Sequence, residues 1–197
     1  MTLPKAVDLR RGISVWLGLG NFTNNDCTVA AYEHVNMVKN LATTSWWGRL
    51  LYRLGYRPPS NRYATSEYVD FLATLNEPPT VGVDPGQFLA WEQSKGRVTE
   101  FQQITISGDF NTVIRQAMID WTGCLLTVKL TKEAYNIGNS RGAWVWNSGD
   151  VAQWGLYHSI AMVGYGPLNN IIVTWGVAKQ MSLEFTQNTL VQCWVWK

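Results

Sequence analysis

One stretch limits what this chain can become more than any other: Asn21-Phe22-Thr23-Asn24-Asn25-Asp26-Cys27-Thr28-Val29-Ala30-Ala31-Tyr32-Glu33-His34. It is a polar, turn-forming run that stops at a cysteine and becomes a helix. Asn24, Asn25 and Asp26 are side chains that satisfy free amide donors at a helix start, and the apolar positions after Cys27 carry helical spacing. Cys27 is therefore expected in the first turn. There the unpaired N–H groups and the positive end of the helix dipole favour the thiolate, which is the reactive form. An ordinary buried cysteine is the alternative at this point, since free cysteine is among the most buried residue types.

A nucleophilic thiol needs a base, and the chain has two histidines. His34 follows Cys27 by seven residues on the same helix, roughly 10 Å along its axis, which is beyond direct hydrogen-bond reach. His158 stands in Gly155-Leu156-Tyr157-His158-Ser159-Ile160-Ala161-Met162-Val163-Gly164-Tyr165-Gly166, a glycine-flanked apolar strand pattern suited to holding a rigid base.

These residues resemble those of the papain-like cysteine peptidases. Asn21 precedes the cysteine by six positions, where that family has the glutamine of its oxyanion hole. Tyr157 to Pro167 resembles the family's histidine strand, and Ile171-Ile172-Val173-Thr174-Trp175-Gly176 resembles the next strand, which carries the orienting asparagine. The chain departs from the pattern in having Asn for Gln at position 21, Asp26-Cys27-Thr28 around the nucleophile, and Thr174 or Val173 where the asparagine would fall. The closer resemblance is to short papain-like proteins of bacteriophage genomes. These share Asp-Cys-Thr ahead of an Ala-Ala-x-x-His helix, with counterparts here in Asp84-Pro85-Gly86, Leu89-Ala90-Trp91 and Thr174-Trp175-Gly176.

The resemblance implies an α+β fold in which a central N-terminal helix carrying the cysteine packs on a C-terminal antiparallel sheet. It implies a cysteine hydrolase, a peptidase or amidase, working through a thioester acyl-enzyme on a peptide-like substrate. Cys27 would be the nucleophile and His158 the base. Asn21 and the Cys27 N–H would bind the oxyanion, with Thr174 orienting His158 or Asn147 or Asp150 substituting for it. No cofactor is implied. The alternative it leaves is a papain-like scaffold with weak or no catalysis, serving as a virion structural component such as a capsid decoration or head-associated protein among other viral structural proteins.

Composition bounds the rest. With 197 residues and 46% hydrophobic content the chain can bury one sizeable core. We expect a single domain with an N-terminal arm at 1–20, a helical lobe at about 21–121 and a β-rich lobe at about 122–197. A net charge of +2 with 15% charged residues gives no basic face for nucleic acid. Cys27, Cys124 and Cys193 fit a reducing compartment better than a disulfide framework, and no Cys or His pair has zinc-ligand spacing. Without an apolar signal core, or the ~18-residue apolar run of a membrane span, the expected location is the host cytoplasm or a virion. Nor is there room before Cys27 for a long inhibitory pro-segment. Eleven tryptophans serve first as core; the Trp46-Trp47 pair is the surface offered for an oligomer.

The patterning predicts helices at Cys27–Leu41, within 42–63, at Ser66–Leu75 capped by Ser66, from Asp84-Pro85 to Gly96, and from Asp109 to Trp121. Strands are predicted at 101–106, 123–130, 156–165, 170–176, 181–186 and 191–196, with a loop over 134–149.

Overall fold

The computed structural model describes residues 3–13, 15–20, 25–43, 59–138, 140–145 and 156–197. Helix α1 (Cys27–Thr43) is buried along almost its whole length, from Thr28 to Leu41. It lies against one face of a seven-stranded antiparallel sheet formed by β1 (Val7–Asp8), β2 (Phe101–Gln103), β3 (Cys124–Lys129), β4 (Tyr157–Tyr165), β5 (Asn169–Thr174), β6 (Val177–Ser182) and β7 (Leu190–Trp196). The order is β2-β7-β3-β4-β5-β6, and β1 pairs with the far end of β4.

β3, β4 and β5 are apolar in runs because both faces are covered, and the two-residue period sorts the side chains. Leu125, Ala161, Val163 and Val173 point to α1 and to its companions α2 (Asn61–Leu75) and α3 (Pro85–Ser94). Cys124, Leu126, Val128, Ile160, Met162 and Ile172 point to the opposite core, which includes Ile114 and Met118 of α4 (Phe110–Trp121) and Phe185 of α6 (Leu183–Thr189). The three helices on the first face are also joined by polar contacts. Tyr32 donates to Glu92 at 3.0 Å, Tyr63 donates to Glu67 at 2.7 Å, and Arg97 pairs with both carboxylates.

The arm is tied to the sheet by close approach. Val7 and Asp8 pair with Tyr165 and Gly164, and a Cβ at position 164 would meet the Val7 carbonyl oxygen at 2.6 Å, so only glycine lets β1 lie this near.

The punctuation at Asp84 and Asp109 is as expected: Asp84 accepts from the Gln87 N–H at 3.0 Å and Asp109 from the Asn111 N–H at 3.1 Å. Three expectations are corrected. α2 begins at Asn61 and is capped by Ser60, whose hydroxyl accepts from the Tyr63 N–H at 3.1 Å, so Ser66 is an interior residue. The segment after β3 is not all loop; Thr131 caps a short helix α5 (Lys132–Ile137) through the Ala134 N–H. The strand expected at 181–186 is displaced to β6, because the Ser182 hydroxyl accepts from the Phe185 N–H at 3.0 Å and starts α6 there. The helix expected within 42–63 and the Trp46-Trp47 pair fall mostly or wholly at 44–58, outside the described residues. Among the described residues no helix is long and apolar enough to cross a membrane.

Candidate active site

Cys27 opens α1 and is partly exposed. Its neighbour across the helix–sheet seam is Ser159, whose backbone N–H and hydroxyl both hydrogen-bond the sulfur. Thr28, the next residue of α1, donates its hydroxyl to the Val83 carbonyl at 2.7 Å and lies 3.0 Å from the Ser159 hydroxyl. The surroundings reverse the expectation of an acidic thiol. Burial pushes the Cys27 thiol up, the Ser159 contacts only partly oppose this, and the neighbouring Asp26 carboxylate adds to it.

Asp26 is fully buried, and among the described residues neither carboxylate oxygen has a hydrogen-bond partner from another residue. Its Oδ2 sits against the backbone of Gly20, where a Cβ would meet it at 2.2 Å. Burial raises this carboxyl to about 7, so near neutrality it is poised between acid and carboxylate.

His158 stands on β4, one residue before Ser159, and therefore faces the other side of the sheet. The ring is buried, and its Nε2 lies 2.7 Å from the Thr174 hydroxyl at the end of β5. Trp175 stacks on the imidazole, with centroids 4.4 Å apart and planes inclined by 17°. Thr174 pairs with Val177, leaving Trp175 and Gly176 as a two-residue hairpin turn, and both take positive φ, 47° and 68°. Such turns suit the sheet twist but favour Gly or Asn; a bulky residue there costs about 1–2 kcal/mol. Here that conformation lays the indole over His158. Trp144, fixed to β6 by bonds to Gln180 and Ser182, closes in at 6.3 Å between ring centroids. Burial in this enclosure brings His158 down to about 3, so the imidazole is neutral at physiological pH.

Cys27 and His158 line the same cleft of about 310 Å³, with Trp175, Tyr135 and Leu156 among its walls. A second cleft of about 440 Å³ opens beside it, lined by Cys27, Val83, Asp84, Ser159 and Gln192 among others. Helix start and strand thus meet at one groove, with thiol and imidazole reaching it from the two faces of β4. Among the described residues no group of three or more His, Cys, Asp or Glu side chains has the arrangement to hold a metal ion.

His34 is held elsewhere: its Nε2 meets the Leu17 carbonyl at 2.9 Å and its ring packs edge-on to Trp16, tying the arm to α1. Asn21, Asn147 and Asp150 lie outside the described residues. Sequence reasoning missed Ser159, Trp175 and Asp26 as neighbours of the two reactive side chains. Each is next in sequence to a residue singled out, and adjacency was the available signal.

No family model matches the sequence, and no curated protein matches it either. Solved structures do match the fold. One is xylellain, a cysteine protease from Xylella fastidiosa, with a TM-score of 0.68 and 13% identity over all of this chain and 87% of that one. Another is the Carica candamarcensis cysteine protease CMS1MS2 in complex with E-64, with a TM-score of 0.61 and 14% identity over 99% of each chain. The chain has the fold of papain-like cysteine proteases.

Proposed function

We propose that the protein is a papain-like cysteine hydrolase, a peptidase or amidase acting through a Cys27/His158 dyad. The observation that carries this is that both side chains line one cleft while the Thr174 hydroxyl engages His158 Nε2. With Nε2–H donating to Thr174, Nδ1 is left as the basic nitrogen to take the thiol proton. The Cys27 proton passes to Nδ1 as the sulfur attacks the substrate carbonyl carbon. The oxyanion is received by the Cys27 N–H and by Asn21. Nδ1–H then protonates the leaving amine as the C–N bond breaks, giving a thioester, and a water deprotonated by Nδ1 hydrolyses it. Thr174 is in the place of the orienting amide. Trp175 and Trp144 keep water from that bond.

A second reading, a scaffold without catalysis, is favoured by the thiol that burial pushes up. Labelling with iodoacetamide near neutral pH, wild type against His158→Ala, separates the two. Under the dyad reading the imidazole takes the thiol proton, so its loss slows Cys27 labelling at least tenfold. Equal rates in the two proteins would refute the dyad.

A further inference from the structure

Charge is scarce around the nucleophile. The two clefts meet at Cys27 but differ in their other walls. His158 lines the smaller one, and an imidazole that protonates a leaving amine must face the amine side of the scissile bond. The larger cleft, which His158 does not line, is left for the acyl side. Among the described residues lining either cleft, Asp84 carries the only formal charge near neutral pH. His158 adds none, because burial brings it down to about 3, and burial also keeps the Cys27 thiol protonated. Asp84 is only partly occupied: its Oδ1 caps α3 by accepting from the Gln87 N–H at 3.0 Å, and no Lys or Arg pairs with it among the described residues. Tyr157 lines the same cleft and is 59% exposed. A carboxylate and an open aromatic ring on one cleft suit an organic cation, which draws on both the charge and the ring face.

We propose that Asp84 is the specificity-determining residue of the larger cleft, which takes a lysine or arginine side chain from the acyl side of a peptide substrate. The division into acyl and amine sides rests on the function proposed above; the preference for a cation does not. An exposed ion pair changes affinity by up to about fivefold. A peptide lying over the cleft displaces water from the pair and takes the effect towards tenfold.

Asp84→Asn removes the charge and keeps the fold, because asparagine caps a helix about as well as aspartate. The probes are alanine peptides ending in a vinyl sulfone, with lysine, norleucine or glutamate placed in turn at each acyl-side position. Their rates of addition to Cys27 in the full chain are followed by mass spectrometry. At one position lysine should react about three to ten times faster than norleucine, its uncharged match in length, and glutamate should be slowest. In Asp84→Asn the lysine-to-norleucine ratio should fall to about one. In the wild type it should shrink as salt rises from about 0.01 M to about 1 M. No lysine preference at any position, or a preference that survives Asp84→Asn, overturns the proposal. Should Cys27 add to none of the probes, calorimetric affinities of the same peptides as blocked amides give the same ratios, and an absence of binding overturns it too. If lysine is preferred through Asp84 while no peptide is cleaved, the cation site stands and the hydrolase reading fails.

Discussion

Replacing Asp26 with Asn isolates a buried carboxyl without a hydrogen-bond partner from another residue among the described residues. The folded carboxyl titrates at about 7 against an ordinary 3.8, so between these values the folded chain holds a proton that the unfolded chain has released. Stability therefore falls as pH rises through that window, since the unfolded state binds fewer protons there. The gap of about three pKa units corresponds to about 4 kcal/mol once both states are ionised, at about 1.4 kcal/mol per unit. At pH 5 little more than one unit has been crossed, and by pH 8 nearly all of it. Asp26→Asn should thus be more favourable at pH 8 than at pH 5 by about 2–3 kcal/mol, or roughly 5–10 °C in melting temperature for a chain of this size. His34, His158 and Glu33 also have shifted pKa values, but they are present in both proteins and drop out of the difference between the two pH values. Urea melts of wild type and Asp26→Asn at both pH values measure it. If Asn shifts stability by the same amount at pH 5 and pH 8, Asp26 is ionised and partnered in the folded protein, and the account of it as a bare buried carboxyl is wrong.

Two other substitutions follow from the geometry. Thr174→Val removes the partner of His158 Nε2 at 2.7 Å; turnover should fall about tenfold or more while stability drops by only about 1–3 kcal/mol, read as kcat/KM beside a thermal melt. Gly164→Ala drives a methyl into the Val7 carbonyl and should detach β1, costing about 1–3 kcal/mol and opening the Leu9 N–H, now bonded to Val163 O at 3.0 Å, to hydrogen exchange. Unaltered exchange at Leu9 would mean that the arm is held by other contacts.

What could be read from the sequence follows the range of the interactions involved. Asp84 and Asp109 announced their helices because a cap acts within three residues. α6 was misread because Met181, Leu183 and Phe185 alternate over a stretch too short to distinguish a helical period from a strand's. Ser66 displaced Ser60 as the cap because both precede apolar residues at suitable spacing, and only the Tyr63 N–H bond decides between them. Among the candidate site residues, Cys27 and His158 were singled out from local motifs and Thr174 from the resemblance, and the structure puts Cys27 and His158 on one cleft with Thr174 against the imidazole. The raised Cys27 thiol was not, since helix position argues for a low value and only tertiary burial, contributed by distant β4, argues the other way. Thr28 and Ser159 are 131 positions apart, and nothing local to either names the other.

The enclosure of His158 has a consequence for how a dyad here would hold its charge. Moving the imidazole from an ordinary 6.5 to about 3 makes charging it unfavourable by about 5 kcal/mol, taken at about 1.4 kcal/mol per unit. An adjacent thiolate would return about 4 kcal/mol for unit charges ~4 Å apart at an effective dielectric of 20. That return does not cover the cost, because an ordinary thiol at 9.0 already stands well above an imidazole at 6.5 before either is buried. The further penalty of a thiol raised by burial then tips the resting pair to its neutral form. A single charge-assisted hydrogen bond to sulfur, worth about 1.5–3 kcal/mol, narrows that gap without closing it, so the charged pair needs the substrate or a further donor in the cleft.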